Sequence, residues 1–162
     1  MESIKAELHC HNIFSNGHVG SLEPIHDCGV TIPEQLEQAY LAGLDVLFVT
    51  NHNTMDGYKQ MLEYKKYHKK FDALKVYPAE EVTTDNESHV LVYGIDHVIK
   101  PGLSLHEILD EAKKQDAVTI APHPFSLMDA LRDDSIHCDI FEVFNSSNVD
   151  VYSNIKAKKF AE

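Results

Sequence analysis

The chain has 162 residues, enough for one domain with a sizeable core, and an ordinary apolar fraction. Its formal net charge of −12, histidines neutral, argues against a broad basic surface for long duplex nucleic acid. No apolar run approaches membrane-spanning length, no secretion signal opens the chain, and three cysteines without a CxxC pair make no disulfide framework, so a cytoplasmic protein with reduced thiols and no membrane association is expected.

In chain order, Ile4 to Leu8 reads as a strand, with His9-Cys10-His11 at its end, followed by a long loop to about Ile32. Pro33 to Ala42 reads as a helix with Pro in its first turn and Gly43 at its end. Asp45 to Val49 is an apolar run of the buried parallel-strand type, and Asp56 to Phe71 an amphipathic helix. Leu74 to Val82 and His89 to Tyr93 read as two strands joined by a turn at Asp85-Asn86-Glu87. Ser104 to Gln115 is a helix whose Ser104 and Glu107 form a capping box. Val118 to Ala121 and Asp139 to Phe144 complete the strands, and a helix runs from Asp150 to Glu162. Alternating strands and helices predict an α/β fold with a mainly parallel sheet.

The histidines recur at strand ends. Alternation along a strand sends His9 and His11 to one face and Cys10 to the other, and two imidazoles on a rigid strand can share a metal. His52, Glu80 or Glu81, His123 and Asn145 also fall at or just past strand ends, where β/α barrels build their sites, and His89 opens its strand. Glu80 and Glu81 should face opposite sides, one toward the barrel mouth and the other toward the helix layer or solvent. A buried carboxylate there would be costly unless paired or metal-bound. Each residue alone also fits a plainer role: His52 a capped turn, His89 and His123 satisfied structural histidines, and the two acids a solvated strand end. Together, several imidazoles around a shared carboxylate suit Zn, Mn or Fe in a multinuclear centre.

These motifs resemble, in order and over nearly the whole chain, those of the PHP family, named from polymerase and histidinol phosphatase domains. His9-Cys10-His11 with Ser15-Asn16-Gly17 matches its HxH and Ser-Asp-Gly. Thr50-Asn51-His52-Asn53-Thr54 matches Thr-Asp-His-Asp-Thr, and Ala79-Glu80-Glu81-Val82-Thr83 matches its Gly-x-Glu segment and selects Glu81. His89, His123-Pro124 and Glu142-Val143-Phe144-Asn145 match the later motifs. The resemblance implies a distorted seven-stranded, TIM-like β/α barrel with two or three divalent metals and phosphoesterase activity through a metal-activated water. It implies that His9, His11 and Glu81 hold one metal, that Glu81 bridges to a second held by His89 and His123, and that His52 serves the third.

The departures shape the expectation. Asn16 stands at a ligating Asp, so the third site would rely on this weaker amide or on His18. Asn51 and Asn53 replace acids that orient His52 and should lower its basicity. The family's closing Gly-Ser-Asp-x-His has no counterpart before Glu162, which implies a single PHP domain over residues 1–162 lacking its last strand. With Lys and Arg scarce near the motifs, metals must supply most of the positive charge, while His18, Glu81 and His52 are the catalytic candidates and His18 or His26 could contact phosphate. The expected substrate is a small phosphorylated molecule or nucleotide. The rival readings are a PHP-like binding domain that has lost catalysis and a metal hydrolase of the amidohydrolase type.

Overall fold

A computed structural model describes residues 3–18 and 26–162. The strands are β1 (Ala6–Glu7), β2 (Val46–Val49), β3 (Lys75–Thr83), β4 (His89–Tyr93), β5 (Val118–Ala121) and β6 (Ile140–Phe141). The helices are α1 (Ile32–Leu41), α2 (Asp56–Lys66), α3 (Leu105–Lys114) and α4 (Val151–Ala161). No helix of the described residues is long and apolar enough to cross a membrane.

The strands form one sheet in sequence order. β1/β2, β2/β3 and β5/β6 run parallel, whereas β4 runs antiparallel to both neighbours. The antiparallel exception has a simple cause: residues 84–88 can close a hairpin but cannot carry a crossover. Two expected strands are shorter than their apolar runs. Pairing of β1 stops at Glu7 and that of β6 at Phe141, because the residues beyond leave the ladder and converge over the end of the sheet. The expected helix to Phe71 ends at Lys66, where His68 Nδ1 lies 2.7 Å from the Tyr64 carbonyl and a separate 3-10 turn follows.

In a flat sheet, β1 and β6 would lie roughly 24 Å apart at the usual strand spacing. Instead His9, just past β1, sits 3.1 Å from Glu142, just past β6. The sheet is therefore curled into a six-stranded half barrel. The expected closed seven-stranded barrel is not formed by the described residues, in which β1 and β6 are edges.

Alternation gives the sheet two distinct faces. Leu47, Val49, Val82, Val90, Val92 and Ala121 point outward beneath α1, α2 and α3. Phe48, Ala79, Leu91, Tyr93 and Ile120 point into the concave side, where the Phe48 and Tyr93 rings stack at 4.6 Å. Glu81 and His89 share the parity of this inner layer, which forms the floor beneath them. Glu80 has the opposite parity, lies under the helices, and is completely buried. Caps set the helices above this sheet. Glu34 accepts from the Thr31 backbone N–H at the start of α1, Ser104 and Glu107 cap α3 reciprocally, and Asp150 caps α4. Phe160 of α4 packs on Phe125 and Phe141 beside the last strands.

Candidate metal centre

Glu81 is 1% exposed and stands at the focus of five imidazoles. Its Oε2 lies 3.2 Å from His9 Nε2, 2.9 Å from His11 Nε2 and 3.5 Å from His52 Nε2. Its Oε1 lies 3.1 Å from both His89 Nδ1 and His123 Nε2. The strands explain this convergence. β2 runs on past Val49 to pair His52 with Glu81, and the β3/β4 register sets His89 opposite Thr83, two residues from Glu81 on the same face. Two ligand sets emerge, His9–Glu81–His123 and His11–His52–Glu81, each with donor atoms within 4.8 Å of one another. Glu81 belongs to both.

The two histidines of the first motif are held alike from outside. His9 Nδ1 lies 3.1 Å from Glu142 Oε1, and His11 Nδ1 lies 2.7 Å from Asp27 Oδ2. Each ring thus has a carboxylate at both nitrogens. Burial opposes protonation of His9, but Glu81 and Glu142 outweigh it and raise its pKa to about 10. Burial likewise opposes His11, and Asp27 with Glu81 raises it to about 9. Burial pushes Glu81 up, yet the surrounding imidazoles hold it well below the usual carboxylate range. Glu142 is also held low, burial being outweighed by its bonds to His9, Asn145 and the His123 backbone.

His52 behaves differently. Its pKa falls to about 4, first because it is buried and then because His11 and His89 crowd it, against the pull of Glu81. The low basicity expected of His52 is present, but neither Asn51 nor Asn53 hydrogen-bonds to its ring. Asn51 instead exchanges hydrogen bonds with the backbone and side chain of Asn12. Asn53, at φ +52°, clamps the backbone and hydroxyl of Thr83. The Asn12–Asn51 pair leaves no room beneath α2: a Cβ on Gly57 would lie 2.1 Å from Asn51 Nδ2. His123, between two prolines, is held at φ +29°, an unfavourable conformation for a residue preceding proline and one that aims its ring at Glu81.

Six of the expected ligands, His9, His11, His52, Glu81, His89 and His123, are brought together. Asn16 and His18 are not. Asn16 Oδ1 accepts from the backbone N–H groups of Asp27 and Cys28 at 2.6 and 3.0 Å, and its Nδ2 donates to the Cys28 carbonyl at 2.9 Å. The amide is a loop clamp. His18 contributes its backbone carbonyl to Asn53, and His26 is exposed. The clamp delivers Asp27, which sequence reasoning missed, to His11 and to within 3.9 Å of His52 Nε2. An acid inside a loop has no periodicity to reveal it. Glu142 lay in a recognised motif, but its partnership with His9 depends on the curl of the sheet.

The donor set fits divalent metal. Imidazole nitrogens and one carboxylate are ligands that Zn, Mn and Fe share, and outer carboxylates on Nδ1 are the usual means of orienting metal-bound histidines. Five ring nitrogens lie within 3.5 Å of one carboxylate, which offers about four lone-pair sites, so hydrogen bonding to Glu81 does not by itself account for the cluster. The cluster opens into a cavity of about 850 Å³ between the loops after β1 and β6.

A half barrel with His and Glu gathered at one end of its strands is an α/β barrel-type plan. It superposes on a Bifidobacterium adolescentis protein provisionally assigned as a metal-dependent phosphoesterase, with a TM-score of 0.71 over 99% of this chain and 84% of that one at 15% identity. It also superposes on Endonuclease Q in complex with a 27-mer duplex bearing an abasic lesion, with a TM-score of 0.58 over 88% of this chain and 44% of that one at 19% identity. In sequence, the chain is 31% identical over 167 residues to the uncharacterized protein MJ1587 of Methanocaldococcus jannaschii, covering 96% of this chain and 91% of that protein. The chain belongs to the family of that protein. A second M. jannaschii protein, MJ0417, is 30% identical over 95 residues, covering 52% of this chain and 40% of that one. No family model matches the chain.

Proposed function

We propose that the chain is a PHP-type, metal-dependent phosphoesterase acting on small phosphorylated substrates. The observation that carries this reading is the buried Glu81 carboxylate shared between two ligand sets. In this reading His9, Glu81 and His123 hold one divalent metal and His11, His52 and Glu81 hold another, and His89 Nδ1 stands beside them, 3.1 Å from Glu81 Oε1. Bound metals supply positive charge and Lewis acidity to the phosphate ester and activate water. Glu142 and Asp27 fix the His9 and His11 rings from Nδ1, so that their Nε2 atoms face Glu81, where a metal would bind. Asn16, Asn51 and Asn53 hold the loops that carry these groups, and His18 takes part through its backbone. The fold likeness to a provisionally assigned phosphoesterase supports the reaction class.

The test uses purified protein with its metal content measured, assayed on p-nitrophenyl phosphate. Chelation should abolish hydrolysis, and Zn, Mn or Fe should restore it. Hydrolysis that survives removal of metal, or less than one bound metal per chain after incubation with excess metal, overturns the proposal.

A further inference from the structure

Apart from its histidines, the ionisable side chains that line the metal cavity are acidic or thiols. Glu7, Asp27, Asp129 and Glu142 line it with Glu81, and no Lys or Arg is among its described lining residues. The sequence explains this absence. Lys and Arg are missing from residues 6–58, 76–99, 117–131 and 133–155, which include the loops at the metal-bearing end of the sheet. Arg132 lies outside the cavity lining but near it in the chain, three residues from Asp129. It lines a neighbouring hollow beside Asp133 and Asp134, and its guanidinium donates to the Leu127 carbonyl at 3.4 Å.

The rest of the wall is apolar or uncharged. Leu8, Met128, Val143 and Phe144 line one part, with Ser146 and Ser147 beside them. Met128 is 71% and Phe144 70% exposed, so both stand open to whatever enters. Metals can neutralise one phosphoryl group at the cluster. With the histidines engaged by metal, a second anionic group would meet carboxylates with no Lys or Arg to balance it, whereas an aromatic or apolar body would cover Phe144 and Met128.

We infer that the site selects esters whose only anionic group is the reacting phosphate and whose remaining body is uncharged with an apolar or aromatic face. This inference rests on the phosphoesterase reading above. It sets nucleoside monophosphates and aryl phosphates apart from bisphosphates and oligonucleotides.

The test compares adenosine 5′-monophosphate with adenosine 3′,5′-bisphosphate on metal-loaded protein. The bases and the 5′ esters are identical, and only the second phosphate differs. The kcat/KM for the monophosphate should exceed that for the bisphosphate at least tenfold at low ionic strength, and the gap should narrow as salt rises. Met128→Lys, which places a cation on the exposed wall, should narrow it as well. Phe144→Ala should raise KM more for phenyl phosphate than for glycerol 3-phosphate. Calorimetric binding of the two adenosine compounds gives the same ratio without turnover. Hydrolysis therefore tests the phosphoesterase reading, and the ratio tests charge selection. Equal or preferential use of the bisphosphate, or of a short DNA strand, overturns the inference.

Discussion

Asp27→Asn isolates one of the two outer carboxylates. The substitution keeps the side-chain shape and a hydrogen-bonding oxygen but removes the charge that faces His11 Nδ1 at 2.7 Å. Outer carboxylates of this kind typically contribute 10- to 100-fold to metal affinity, or roughly 1.4–2.7 kcal/mol. The loss should fall on the His11–His52–Glu81 set, because Asp27 touches His11 and approaches His52 but has no contact with His9 or His123. Glu142→Gln should do the reverse, weakening the His9–Glu81–His123 set through His9 Nδ1. Calorimetric titration with Zn, supported by metal content after dialysis, resolves the two sets. Asn16→Ala should share part of the Asp27 phenotype, because Asn16 holds the Asp27–Cys28 backbone. If Asp27→Asn binds both metals with wild-type affinity, the assignment of Asp27 to His11 is refuted.

Gly57→Ala should destabilise the fold by about 1–3 kcal/mol in denaturant unfolding, since the added Cβ collides with a buried Asn pair, and wild-type stability would contradict that packing. Glu80 is raised from 4.5 to about 7 by burial, against a hydrogen bond from the Ile99 backbone. Its stabilising protonated form is therefore fully present below pH 4.5 and lost as pH rises through about 7, on the order of 3 kcal/mol. Glu80→Gln should remove that part of the decline between pH 4.5 and about pH 7, and parallel pH profiles for mutant and wild type would refute it. With His9 raised to about 10 and His11 to about 9, metal must displace protons, so affinity should rise with pH. Calorimetry in buffers of different ionisation enthalpy should show proton release, and identical heats would contradict it.

Much of the fold is legible in local pattern. His89 to Tyr93 and Val118 to Ala121 appear as strands with the bounds expected, and Ser104 and Glu107 cap α3 as their spacing requires. Strand parity also separates Glu81 from Glu80, since residues 79 and 81 face the inner layer while 80 and 82 face the helices. What is not legible depends on curvature and on loops. The grouping of His9 with His123 around Glu81 requires β1 and β6 to approach across the open side of the half barrel. Asp27 enters the site only because the Asn16 amide folds the loop backbone around itself. The low basicity of His52 comes from its depth beneath neighbouring histidines, which no adjacent residue encodes.

Two metals should share the Glu81 carboxylate. Anomalous scattering from crystals grown with Zn, recorded on both sides of the Zn absorption edge, tests it directly. Two peaks should flank the Glu81 carboxylate, one bounded by His9 and His123 and the other by His11 and His52. A map without peaks there, or with Zn bound only at surface histidines such as His106 and His137, would contradict it.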